Sequence, residues 1–194
     1  LFRSQPHLRG CLSLFAESIQ RAGGGPVVDV GCGPGYVTRH LHDMGVDAFG
    51  IDLSPEMVAI ARRDHPDLEV GTMTDLDLDD GSVAGVLAFW SVIHVPDHAV
   101  PGVFDEFRRV LRPGGSLLVG FHVGDGVEHT AEGYTGRPVA IDTYRRHPAE
   151  VEGWLRDAGF AIEATLVMRP DGDRPGAVVF ATSGSSPARA DAGA

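Results

Sequence analysis

Val27-Val28-Asp29-Val30 runs straight into Gly31-Cys32-Gly33-Pro34-Gly35, and apolar residues at helical spacing follow. A strand-type run, a glycine turn and a helix in immediate succession constrain the chain more than any other feature. They describe one strand-to-helix step of a parallel α/β sheet. The glycines let the backbone turn sharply and approach a ligand with no Cβ in the way. The helix that follows offers free N–H groups at its N-terminus. Asp52 closes the next apolar run, where an acidic residue after the second strand can hold both ribose hydroxyls. In outline this is a nucleotide site.

The spacing narrows the nucleotide. A dinucleotide fingerprint needs G-x-G-x-x-G, with the third glycine allowing close helix–strand packing. Here Tyr36 stands at that third position, and the chain contains no lysine, which excludes a P-loop. A plain glycine-rich turn is the alternative reading of the loop taken alone.

With 194 residues and 43% hydrophobic content, the chain is long enough for one domain with a full core. Its net charge of -11 argues against nucleic acid and against an anionic membrane surface, both of which select basic patches. No apolar run is long enough to span a bilayer and no signal peptide is visible, so the expected compartment is the cytoplasm. The chain opens at Leu1 rather than Met, which leaves room for a preceding segment. Cys11 and Cys32 do not form a disulfide framework. The oligomeric state stays open.

The rest of the chain continues the alternation. Leu8, Cys11, Leu12, Phe15, Ile19 and Ala22 predict a helix over 8–22, and 48–51 a second strand. Ser54-Pro55-Glu56 supplies an N-cap, a proline at the first helical position and a first-turn acid. A short strand is expected at 68–70 and a buried strand at 83–89. A helix follows over about 99–111, and the turn Arg112-Pro113-Gly114-Gly115 leads into a strand at 116–121. Segment 122–146 lacks periodicity and reads as a long functional loop or lid. A helix near 148–158 and two strands, 161–168 and 177–182, joined around Asp171-Gly172-Asp173, finish the pattern. The Ser/Ala/Gly-rich tail 183–194 is expected to be disordered. The expected fold is α/β: a doubly wound, mostly parallel sheet, helices on both faces, with a C-terminal antiparallel hairpin at its edge.

Four motifs in order carry a family resemblance. They are Val27–Gly35, the segment Gly50-Ile51-Asp52-Leu53-Ser54-Pro55-Glu56-Met57, the strand and turn Val86–Val95, and Arg108–Gly115. With them the chain, from Leu8 to Thr182, resembles the small-molecule branch of class I S-adenosylmethionine (SAM)-dependent methyltransferases. The resemblance implies a Rossmann-like methyltransferase domain over 1–182, with SAM as cofactor and S-adenosylhomocysteine as product. It implies that Gly31, Gly33 and Gly35 pass close to the cofactor, that Asp29 organises the loop or reaches the amino group, and that Asp52 accepts from the ribose. Leu53 and Met57 would pack on the adenine, with Thr72, Met73 and Phe89 also on the cofactor side. Relatives place an acid where this chain has Thr72, so Thr74 or Asp75 is the alternative for the exocyclic amine.

The strand-four segment lacks the Asn/Asp-Pro-Pro-aromatic motif of adenine and glutamine-amide methyltransferases, and the chain has no asparagine at all. A small-molecule acceptor is therefore expected, with no nucleic-acid, membrane or metal partner. SAM is already activated, so the protein mainly positions the acceptor and excludes water. A base is needed only for a protonated acceptor. His94 and His122, at the C-terminal ends of sheet strands, are the candidates. Trp90, His129, Tyr134 and Tyr144 are candidates for the acceptor wall. Two other readings stay open: a protein of this fold with a regulatory or non-methyl-transfer role, and a nicotinamide-dependent oxidoreductase.

Overall fold

In a computed structural model, residues 5–63, 67–132 and 138–184 are described. Seven strands form one sheet in the order β3-β2-β1-β4-β5-β9-β8. They are β1 (Val27–Val30), β2 (Ala48–Asp52), β3 (Leu68–Val70), β4 (Val83–Phe89), β5 (Leu111–His122), β8 (Phe160–Met168) and β9 (Gly176–Ser183). The pairs β1–β2, β2–β3, β1–β4 and β4–β5 are parallel, whereas β9 runs antiparallel to both β5 and β8. The closing hairpin thus puts one strand inside the sheet: β9 is flanked by β5 and β8, and of the two hairpin strands β8 is the one at the edge. Because β1 is followed by strands on one side and then by β4 on the other, the chain reverses direction across the sheet between β1 and β4. In open α/β sheets the ligand crevice lies outside the strand carboxyl ends at that reversal.

Two cores sandwich the sheet. One packs α1 (Pro6–Arg21) and α2 (Tyr36–Asp43) on Val27, Ala48, Ala84, Leu87, Leu118 and Val178. The other packs α4 (Val100–Val110) and α5 (Pro148–Asp157) on Val86, Val119, Val179 and their neighbours. Val100, Val103, Phe104, Phe107 and Val110 of α4 are all fully buried, as their helical spacing requires. The short α3 (Pro55–Ala61) begins as anticipated, with the Ser54 hydroxyl accepting from the Met57 N–H at 3.3 Å.

Three expectations change. Segment 122–146 contains a second, two-stranded antiparallel sheet, β6 (Val127–Glu132) and β7 (Pro138–Tyr144). Val127, Glu128 and His129 on one strand and Ala140, Ile141 and Asp142 on the other are exposed. With no core beneath them, nothing selects an apolar alternation, and the hairpin leaves no pattern in the sequence. The turn Arg112–Gly115 lies inside the β5 ladder as an irregularity: Leu111 pairs with Val83, and pairing resumes at Ser116 opposite Gly85. Ser183 belongs to β9 rather than to a disordered tail. It is buried, its hydroxyl donating to the Arg112 carbonyl at 2.6 Å and accepting from the Gly115 N–H at 3.0 Å. Residues 185–194, the rest of that expected tail, lie outside the described residues, as does Tyr134.

Candidate active site

The carboxyl ends of β1, β2, β4 and β5 share one edge because these strands are parallel, and the site is built along it. At the end of β1 the loop folds back on β2, with Gly31 N–H donating to the Ile51 carbonyl at 2.7 Å. Gly31 has a positive φ of 73°, and a Cβ there would overlap the Ser91 side chain beyond β4. Ser91 is itself pinned, its hydroxyl donating to the Val30 carbonyl at 2.6 Å. Gly33 is different. Its φ is 54°, and a Cβ there would meet no atom within 4 Å. The backbone at Gly33 faces open space, which is room for a ligand.

Asp52 frames that space. One carboxylate oxygen accepts from the Gly33 N–H at 2.7 Å and the other from the Ser54 N–H at 2.8 Å. A carboxylate has about four lone-pair sites, so capacity for two hydroxyl donors remains. Asp29 lies underneath, 2% exposed, and accepts from the Thr38 hydroxyl at 2.7 Å. Burial pushes its carboxyl up to about 7, the Thr38 bond working against the shift and the Asp52 charge adding to it. Asp29 therefore ties β1 to α2 and organises the loop. The same burial, with the two nearby aspartates, pushes the Cys32 thiol up and keeps it an inert packing group.

Met73 is partly buried on the core that includes Val30 and Ile51, and its methyl lies toward Gly31. The Thr72 hydroxyl lies 2.8 Å from that of Thr74, and Thr72 bridges to Asp75, so these three form one tight turn. Leu53 is 74% exposed beside Asp52. Phe89 and Trp90 stack edge to face with centroids 4.7 Å apart.

Trp90 begins the second half of the site. Its φ is 58°, a strained value for a residue with a side chain. The turn lays the indole over Gly120 of β5 and Gly176 of β9, where any Cβ would crowd the ring. The indole N–H donates to His122 Nδ1 at 3.4 Å. Since indole can only donate, His122 carries its own proton on Nε2. Burial, reinforced by the Arg145 and Arg174 charges, lowers the His122 pKa and so favours the neutral ring. His94 ends the short 3-10 turn Val92–His94 after β4 and is exposed. Its Nδ1 lies 3.0 Å from the Asp142 carbonyl of β7. A carbonyl can only accept, so Nδ1 carries a proton, and in the neutral ring the lone pair is on Nε2. His129 faces Asp142 across the hairpin, with a 2.8 Å ring–carboxylate contact, and Tyr144 packs at the hairpin's end against Arg146.

This geometry has relatives. A family model described as a methyltransferase domain matches residues 27–115. A probable S-adenosylmethionine-dependent methyltransferase from Mycolicibacterium smegmatis is 32% identical over 158 residues, 79% of this chain and 58% of that protein. The ubiquinone biosynthesis O-methyltransferase of Xylella fastidiosa is 28% identical over 166 residues, 75% of this chain and 65% of that protein. A crystal structure of a SAM-dependent methyltransferase from Methanosarcina mazei shares the fold, with a TM-score of 0.74 at 19% identity over 84% of this chain and 94% of that one. Residues 27–115 are a methyltransferase domain, and the chain around them has the fold of SAM-dependent methyltransferases. It spans 58% and 65% of the length of the two curated relatives.

SAM is the cofactor of this methyltransferase family, and the residues around Gly33 fit it: open room over a bare backbone and an anchored carboxylate beside it. The fold brings Asp29, Gly31, Gly33, Asp52 and Met73 to one end of the crevice, and Trp90, His94, His122 and Asp142 to the other, whereas Gly35 is buried and faces Ala61 and Leu68. Sequence reasoning missed Ser91, Thr38, Asp142 and Arg146. Ser91 lay within a recognised motif and Thr38 sits nine residues past Asp29. Arg146, in the polar run Arg145-Arg146-His147, left no signal, yet it is 1% exposed.

Among the described residues, no helix is long and apolar enough to cross a membrane.

Proposed function

We propose that this protein transfers the methyl group of SAM to a small-molecule acceptor held between the post-β4 turn and the β6–β7 hairpin. The observation that supports it is the Asp52 carboxylate, held by the Gly33 and Ser54 amides at the sheet reversal beside open space. Gly31–Gly35 and Asp52 would hold the cofactor's ribose and methionine portions. Leu53, Met57, Met73 and Phe89 would supply apolar contacts and the Thr72–Asp75 turn the polar edge. SAM supplies a methyl on a sulfonium, already activated for in-line displacement, so the protein's task is to orient the acceptor and keep water out.

The two histidines divide the remaining work. His94, with its lone pair on Nε2, takes the proton of a hydroxyl acceptor, and the Asp142 carbonyl keeps that tautomer in place. His122, neutral with its proton on Nε2, donates a hydrogen bond and orients the acceptor on the Trp90 face. Tyr144 and His129 would complete the wall. Similarity to an O-methyltransferase favours oxygen as the receiving atom.

Calorimetry with S-adenosylhomocysteine, followed by transfer of radiolabelled methyl from SAM to a panel of phenols and catechols, tests this reading. Binding of the product nucleotide and labelling of a phenolic oxygen are expected. No binding at millimolar S-adenosylhomocysteine overturns the cofactor assignment. Binding with no labelled phenol, amine or thiol overturns the transferase assignment.

A further inference from the structure

Arg146 is the largest fully buried side chain in the molecule's described part and the one buried cation there. It sits where β7 ends and α5 is about to begin. Its guanidinium makes three directed bonds into the turn after β4. Nε donates to the Asp97 carboxylate at 2.9 Å, Nη1 to the Val92 carbonyl at 3.1 Å, and Nη2 to the Val95 carbonyl. The Tyr144 and Trp154 rings lie on it at 5.4 and 5.8 Å. Its backbone N–H donates to the His122 carbonyl at 3.0 Å.

Val92 and Val95 bracket His94. One residue thus grips the chain on both sides of one candidate base and, through its own backbone, holds the strand end that carries the other histidine. A structural ion pair alone would need Asp97 only. Two carbonyls at a fixed spacing call for a planar fork, which lysine lacks. Burying a guanidinium costs desolvation that one half-exposed carboxylate does not offset. The hydrophobic core it displaces would be cheaper, so the placement points to a requirement for geometry.

We propose that Arg146 is a positioning residue for the acceptor side of the site, setting the post-β4 turn so that His94 meets the Asp142 carbonyl and presents Nε2 to the crevice. The proposal rests on the functional reading above for its meaning, but its geometry can be tested without a substrate.

The test is long-range proton–nitrogen NMR on protein labelled at histidine, with S-adenosylhomocysteine affinity measured in parallel. In the unmutated protein His94 is expected as the Nδ1–H tautomer. In Arg146→Lys that tautomer is lost, because an ammonium cannot serve both carbonyls, while nucleotide affinity stays within about threefold. A lowered melting temperature with His94 unchanged would mean Arg146 is merely structural and overturns the proposal. So would the other His94 tautomer in the unmutated protein. Should Arg146→Lys not fold, Arg146→Gln, whose amide cannot serve both carbonyls, decides the matter: a shifted His94 tautomer supports the proposal and an unchanged one overturns it. Failure of S-adenosylhomocysteine to bind the unmutated protein would sink the transferase reading and leave this result standing.

Discussion

Asp52 ties together two loops as well as facing the crevice. Its oxygens hold the Gly33 and Ser54 amides, so its removal releases the glycine loop and also the start of α3. Losing a charged hydrogen-bond partner costs about 1.5–3 kcal/mol. Asp52→Ala should weaken S-adenosylhomocysteine binding by roughly one to two orders of magnitude on that figure, measured by calorimetry, and unchanged affinity would remove the ribose role. The two glycines beside it separate packing from ligand room. Gly31→Ala would drive a methyl into Ser91 and should lower the melting temperature severely. Gly33→Ala meets no protein atom and carries only the backbone cost, about 1–2 kcal/mol for a left-handed residue. Its larger effect should be on nucleotide affinity. Equal thermal losses for the two variants would contradict this contrast.

At the scale of elements, the β6–β7 hairpin is the part that periodicity concealed. A lone two-stranded sheet is marginal in water. This one borrows stability from the His94–Asp142 contact and from the ion pair of Arg145 with Glu128 at 3.0 Å. Its amides should exchange with solvent faster than those of β4 and β5, as read by hydrogen exchange, and equal protection would make it part of the core. If the hairpin and His122 serve the acceptor, His122→Ala should reduce methyl transfer and leave S-adenosylhomocysteine affinity within about threefold, roughly 0.6 kcal/mol. A matching loss of nucleotide affinity would move His122 to the cofactor side. By contrast, α4 was legible residue by residue, since a buried helix face forces apolar residues to recur at its own period.

For the whole molecule, the buried Asp29 couples stability to pH. Its carboxyl goes from a usual value of 3.8 up to about 7 on folding. The folded state therefore holds a proton that the unfolded chain has released between those values. The associated stability is present below about 4 and is lost as pH rises toward 7, by at most about 1.4 kcal/mol per unit. The melting temperature should fall across that window relative to Asp29→Asn, in which the slope disappears; parallel curves for the two proteins would refute it. Ligand linkage adds a second global readout. A ligand bound only by the folded state adds about 2.7 kcal/mol at a hundred times its dissociation constant. S-adenosylhomocysteine should raise the melting temperature and NAD should not; a shift with NAD alone would favour the oxidoreductase reading.

What the sequence determined by itself is everything that repeats or that sits at fixed spacing from a turn. The strand–glycine–helix step at 27–36, Asp52 after the second strand, the apolar run of β4 and the α4 face follow from local backbone chemistry and from burial against a sheet. Those constraints act on neighbouring residues, so they are written in neighbouring positions. The remaining links join distant positions and arise only once the chain is folded. Folding turned Trp90 over Gly120 and Gly176, gave His94 and His122 opposite tautomers through Asp142 and Trp90, and buried Arg146 against carbonyls some fifty residues away. A hydrogen bond across the fold asks only for a donor and an acceptor at one point in space. Many residues supply those, and no spacing along the chain announces which ones will meet.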